Sequence, residues 1–200
     1  MNDKVDGPDH RGLSRLAATQ GGYFRADQAA ALGFSRALLS HHEKGGRFER
    51  LGPGVYRLNV LPREPIDHLF AAWIGAGPEE AVISHESALE LYELTDLVPT
   101  KIHLTIPRRA RWKRPPPGVA LHTVSRLDPS EVRMWRGLRV TTPERTLVDV
   151  SAGDLSREHV DAAIAEAIAR GLTTASALRR AAARRSERVA HLIERSLSAA

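Results

Sequence analysis

Arg36, Ser40, His41 and Lys44 are the side chains best placed to do chemistry in this chain, and that chemistry is hydrogen bonding to nucleic-acid bases. Their spacings of four, one and three put them largely on one face of a helix. Arginine and lysine reach guanine edges or phosphates, while serine and histidine can donate or accept. Ser35 stands just before them, where an N-cap belongs, and joins them as a candidate DNA contact. Arg47, Arg50 and Arg57 follow in a hairpin-like run and offer charge to a DNA backbone or minor groove. The hairpin turn is Gly52-Pro53-Gly54: proline fixes one dihedral and glycine permits the other.

Other polar clusters are weaker candidates. Adjacent residues on a helix point about 100° apart, so His41-His42-Glu43 cannot jointly ligate one ion. His85-Glu86 has the same geometry, and no HExxH spacing occurs. Ser84-His85-Glu86 opens a helix, where capping is the expected role. Glu144 and Asp149 are lone carboxylates suited to ion pairs with Arg145 or a neighbour. The chain has neither a glycine-rich phosphate loop nor a nucleophile elbow, so the convergent acid, base and nucleophile of an enzyme are missing. No catalytic residue, metal ligand or cofactor is expected.

The DNA-facing residues need a frame, and the order of elements supplies one. A short strand (residues 22–24) precedes an alanine-rich helix (26–32). The break Gly33-Phe34-Ser35 follows, then the second helix (36–44) and the hairpin (47–58). With a first helix from Leu13 to Thr19, this is the order of a winged helix-turn-helix spanning residues 13–60. Leu38 and Leu39 are the large apolar residues of the second helix, and His42 and Glu43 lie where another core aliphatic is expected. The same fold also serves as a scaffold for protein contacts, so a protein- or RNA-binding module and an orphan transcriptional regulator are the alternatives.

Composition narrows the setting. The 200 residues carry a net charge of +5 and no cysteine, which excludes disulfides and thiolate chemistry. No apolar run approaches the roughly 20 residues of a membrane span, and the polar start has no signal-peptide core. A cytoplasmic protein without a membrane partner is expected. Between Arg108 and Arg145 lie ten basic residues against three acidic ones, an electrostatic footprint for phosphate. Arg108, Arg109, Arg111, Lys113 and Arg114 form its densest part, a proline-rich loop that is a possible nucleic-acid contact.

Residues 1–12 are expected to be disordered, being polar with little to bury. Past Pro62 and Pro65 a second domain, residues 66–200, reads as α/β with C-terminal helices, so that the whole chain is α+β. Helices are expected at 66–75, from Ser84 to about Leu94, and at 156–169, 175–183 and 186–197. Strands are expected at 81–83, 119–124 and 137–140. The alternation of Lys101 to Ile106 marks a half-buried strand. Thr142-Pro143-Glu144 is a helix start with an N-cap threonine and a proline at the first position.

Several of these stretches are familiar together: Gly33-Phe34-Ser35, Arg50 to Tyr56, Ile83 to Ala88, His103 to Pro107, and above all Val140 to Asp149. Over residues 13–178 the chain resembles the AbiEi antitoxins of bacterial type IV toxin–antitoxin systems. The resemblance implies that the winged helix binds inverted repeats in its own promoter and represses the operon. It also implies that the C-terminal domain counters a nucleotidyltransferase-type toxin, without necessarily contacting it directly. The Arg108–Arg114 loop would then touch either DNA phosphates or the RNA that the toxin modifies. Pro53 stands where relatives often carry a basic residue, which leaves Arg50 and Arg57 to supply the contacts of the wing. Some longer relatives continue into a nuclease-like domain, which is not expected here.

Overall fold

The structure is a computed structural model describing residues 7–110, 115 and 117–198. It divides into two compact units. One comprises the described residues up to Glu79 together with Arg136–Leu138; the other comprises Glu80–Trp135 and the chain from Arg139 onward.

The first unit holds α1 (His10–Ala18), β1 (Tyr23–Arg25), α2 (Ala26–Ala31), α3 (Arg36–Lys44), β2 (Phe48–Gly52), β3 (Val55–Leu58) and α4 (Asp67–Ala76). The strands form an antiparallel sheet of order β1-β3-β2. Its core is aromatic: Phe24 lies 5.1 Å from Phe48 and 5.7 Å from Tyr56, ring centre to ring centre, with Leu13, Ala17, Phe34 and Leu39 around them. Order begins earlier than composition suggests. The Asp9 carboxylate accepts from the Gly12 amide at 2.7 Å and starts α1 at His10, whose ring sits edge-on to Phe34. The expected disorder of residues 1–12 is thus corrected for residues 7–12, and residues 1–6 lie outside the described ones.

The break between α2 and α3 depends on Gly33. Its φ is +84°, and a Cβ there would lie 3.3 Å from the Pro8 Cα, so the chain leading into α1 packs directly over it. In the hairpin, Arg50 pairs with Tyr56 and Gly52 with Val55, which leaves Leu51 as a bulge that is 40% exposed. The Gly54 carbonyl at the tip accepts from the Ala26 amide at 2.9 Å. The tip is therefore tied to the first turn of α2.

The sequence places α4 in the second domain, but its contacts are with the first unit. Phe70 stacks on Tyr23 with centroids 6.1 Å apart, and Asp67 faces Arg57 at 3.6 Å. The division between units accordingly falls after Glu79 rather than at residues 61–65.

The second unit is built on a five-stranded sheet of order β6-β5-β4-β8-β7. Its strands are β4 (Val82–Ile83), β5 (Ile102–Pro107), β6 (Val119–Val124), β7 (Val132–Trp135) and β8 (Leu138–Thr141). β5 runs parallel to β6 and antiparallel to β4, and β4 runs parallel to β8. The helices are α5 (His85–Leu91), α6 (Pro143–Ser151), α7 (Arg157–Ala169), α8 (Ala175–Arg185) and α9 (Glu187–Leu197). The last four begin at hydroxyl N-caps, Thr142, Ser156, Thr174 and Ser186, each accepting from an amide of the first turn. α7 buries Val160, Ala163, Ile164 and Ala167, the face its periodicity marks. β5 is less simple than its alternation implies. Leu104, Thr105 and Ile106 are all buried, because the polar face is covered too: the Thr105 hydroxyl donates to Ser84 Oγ at 2.8 Å. The α+β class holds throughout.

Candidate nucleic-acid interface

In α3 the sequence makes one side of the helix a packing surface and leaves the other to solvent. Leu39 is buried and Leu38 half-buried against the core. His42 occupies the position of the missing aliphatic: its ring lies 4.9 Å from Phe48, 5.5 Å from His10 and 6.1 Å from Phe34. Burial, together with the charge of Arg47 nearby, lowers its pKa below the usual imidazole value, so it packs as a neutral ring. Arg36, His41 and Lys44 are exposed on the other side and Ser40 is half-exposed. The structure thus brings these four together on one face, with the half-exposed Glu43 at its edge. Ser35 begins the helix, its Oγ accepting from the Leu38 amide at 3.2 Å.

The hairpin arginines separate. Arg47 and Arg50 are exposed, and Arg50 makes one long bond, Nε to the Gly52 carbonyl at 3.4 Å. Arg57 is only 2% exposed and is committed inward. Its Nη2 donates to the Leu61 and Pro62 carbonyls at 2.8 and 2.6 Å, and its Nε lies 3.6 Å from Asp67. It braces the turn from β3 toward α4 and is not available to phosphate, which corrects its place among the DNA contacts. The adjacent Tyr23 hydroxyl is pushed up to about 12 by burial and by the Asp67 carboxylate.

Among the described residues, the basic run from Arg108 to Arg145 is partly neutralised. Arg108 is exposed, whereas Arg109 is held by both oxygens of Glu80 at 3.0 and 2.9 Å. Arg111, Lys113 and Arg114 lie outside the described residues. Arg133 lies over the Trp135 ring at 4.5 Å. Arg145 is buried, with its Nε 2.7 Å from Asp149 and a second ion pair to Glu131. Asp149 therefore pairs as expected, while Glu144 instead accepts from the Thr173 hydroxyl at 2.8 Å.

One polar cluster escapes a reading by adjacency because it is assembled from three elements. His85 on α5 stacks on His122 of β6, centroids 3.5 Å apart, and His103 of β5 lies 2.7 Å from Glu86 and 3.1 Å from His122. Burial lowers His85 to about 3 and lowers His122 as well. Burial opposes ionisation of Glu86, but the His103 ring overrides it and draws the carboxyl to about 2. The period-two alternation of residues 101–106 was the available signal for His103. Nothing in local sequence links it to His85. Among the described residues, no group of side chains is arranged to hold a metal ion, and no helix is long and apolar enough to cross a membrane.

The chain thus carries two parts: a helix-turn-helix followed by a hairpin, with a basic helix face, and a separate α+β unit. Residues 13–59 match the family model described as a transcriptional regulator, AbiEi antitoxin, and residues 80–196 match the AbiEi antitoxin C-terminal domain. The chain belongs to the AbiEi antitoxin family: it is an antitoxin with a regulatory role. No curated protein matches it. Among solved structures it is similar to the Rv2827c protein from Mycobacterium tuberculosis, at 16% identity and a TM-score of 0.46, over 90% of this chain and 75% of that one.

Proposed function

We propose that the first unit is a winged helix that binds the promoter of its own operon and represses it, while the second unit counteracts a nucleotidyltransferase-type toxin in a type IV system. The observation that carries the DNA half is the outward face of α3, where Arg36, Ser40, His41 and Lys44 stand together opposite a packed face. In this reading α3 enters the major groove and these four meet base edges, while Ser35, Arg47 and Arg50 hold backbone phosphates. Reading an inverted repeat places two protomers on the DNA. The Arg108–Arg114 loop is a further nucleic-acid contact in this scheme, with Arg108 the described residue that is exposed there and without an ion pair. The family match to a transcriptional regulator supports this reading, and so does the exposure of Arg36, His41 and Lys44 on α3.

The test is a gel shift with the protein's own upstream DNA against unrelated DNA of equal length at two salt concentrations. Specific retardation that weakens with salt but keeps its preference is the expected result. Equal binding to both DNAs would reduce the site to a basic surface, and no binding would remove DNA as the partner. Coexpression with a neighbouring nucleotidyltransferase-like gene tests the antitoxin half: growth is expected to recover, and persistent growth arrest would refute that toxin class.

A further inference from the structure

Arg11, Ser14 and Arg15 are exposed along one side of α1, and Arg47 at the foot of the hairpin comes alongside them. With His10 they line an open depression of about 560 Å³ that contains no carboxylate. Several arginines elsewhere in the described residues are neutralised: Arg25 by Asp27, Arg63 by Glu49, Arg109 by Glu80 and Arg179 by Glu194. Arg11, Arg15 and Arg47 have no ion-pair partner among the described residues. Like charges four residues apart, as at Arg11 and Arg15, work against the helix that carries them. An arrangement of that kind is relieved by an external anion.

The depression is also held in fixed relation to α3. The Asp9 amide donates to the Leu32 carbonyl at 2.9 Å, His10 packs against Phe34 and His42, and the Arg47 amide donates to the His42 carbonyl at 2.9 Å. The volume exceeds that of a single phosphate, and three guanidiniums with the Ser14 hydroxyl offer donors to more than one.

We propose that the depression between α1 and Arg47 is a second anion site, which takes consecutive phosphates of a DNA backbone beside the segment that α3 reads. This rests on the DNA reading given above. It assigns α1 the task of clamping the duplex and leaves sequence choice to α3.

The experiment compares the wild-type chain with an Arg11→Ala/Arg15→Ala variant and with Arg36→Ala, on operator and unrelated DNA over a salt titration. The α1 variant is expected to lose about tenfold or more in affinity on both DNAs, to keep its preference, and to show a salt slope smaller by about two. Arg36→Ala is expected to lose preference instead. Trimming the operator flanks should abolish the difference between wild type and the α1 variant. If wild type binds specifically and the α1 variant matches it in affinity and salt slope, the clamp is refuted while the DNA reading stands. If wild type binds no DNA, both fall together.

Discussion

At the scale of single residues, arginines within one hairpin part company. Arg57 faces inward, donates to the Leu58, Leu61 and Pro62 carbonyls and lies 3.6 Å from Asp67; removing it takes the cation away from a largely buried carboxyl group. Arg57→Ala is therefore expected to lower stability by about 3 kcal/mol, read as a drop in the urea midpoint. A midpoint unchanged from wild type would show that the brace carries no weight. Arg36, by contrast, is exposed and makes no ion pair among the described residues. Arg36→Ala should leave the urea midpoint in place and cost roughly 1–3 kcal/mol in operator affinity, with relaxed sequence preference, as judged by competition gel shifts. Unchanged affinity and preference would mean that another face of α3 meets the DNA.

At the scale of elements, α3 is set by its cap and by the ring beneath it. Ser35→Ala should cost about 1 kcal/mol of stability through the lost bond to Leu38. Ser35→Asp restores an acceptor and should recover that stability in thermal melts. It also places a negative charge where a phosphate would lie, so its DNA affinity should fall by about tenfold. If Ser35→Asp binds DNA as well as wild type, the helix start does not face the backbone. These element-level assignments were largely legible in advance. Helical spacing alone gave the outward face of α3, and serine, threonine and proline marked the helix starts at Ser35 and Thr142. The inward turn of Arg57 is not legible in the sequence for a physical reason: every residue of β3 is buried, and α4, which helps to cover it, reads in the sequence as part of the other domain. His42 read as polar because an imidazole's packing role depends on the rings around it. The stack of His85, His103 and His122 was illegible because three separate elements must fold before those rings meet.

At the scale of the whole molecule, the buried imidazoles make the fold sensitive to acid. Burial holds His42, His85 and His122 below their ordinary pKa, so the unfolded chain takes up their protons first. Their contribution is complete above about pH 6.5 and is lost as pH falls from there toward the folded value of about 3 for His85. Glu86 adds to the same trend at lower pH: its contribution is present above about 4.5 and fades toward 2. Thermal midpoints should fall between pH 7 and pH 5, and His122→Gln should give a shallower dependence. A midpoint that is flat over that range would mean that the cluster is rearranged in solution.

The hydrogen bond from the Ala26 amide to the Gly54 carbonyl has a kinetic consequence. This one proton is shielded only while the hairpin tip lies against α2, so its rate of exchange with deuterium clocks the lifting of the tip. Slow exchange at Ala26 would describe a hairpin that meets its partner ready-formed. Exchange as fast as in an open chain would describe one that must first settle into place, paying in association rate for the freedom it holds beforehand.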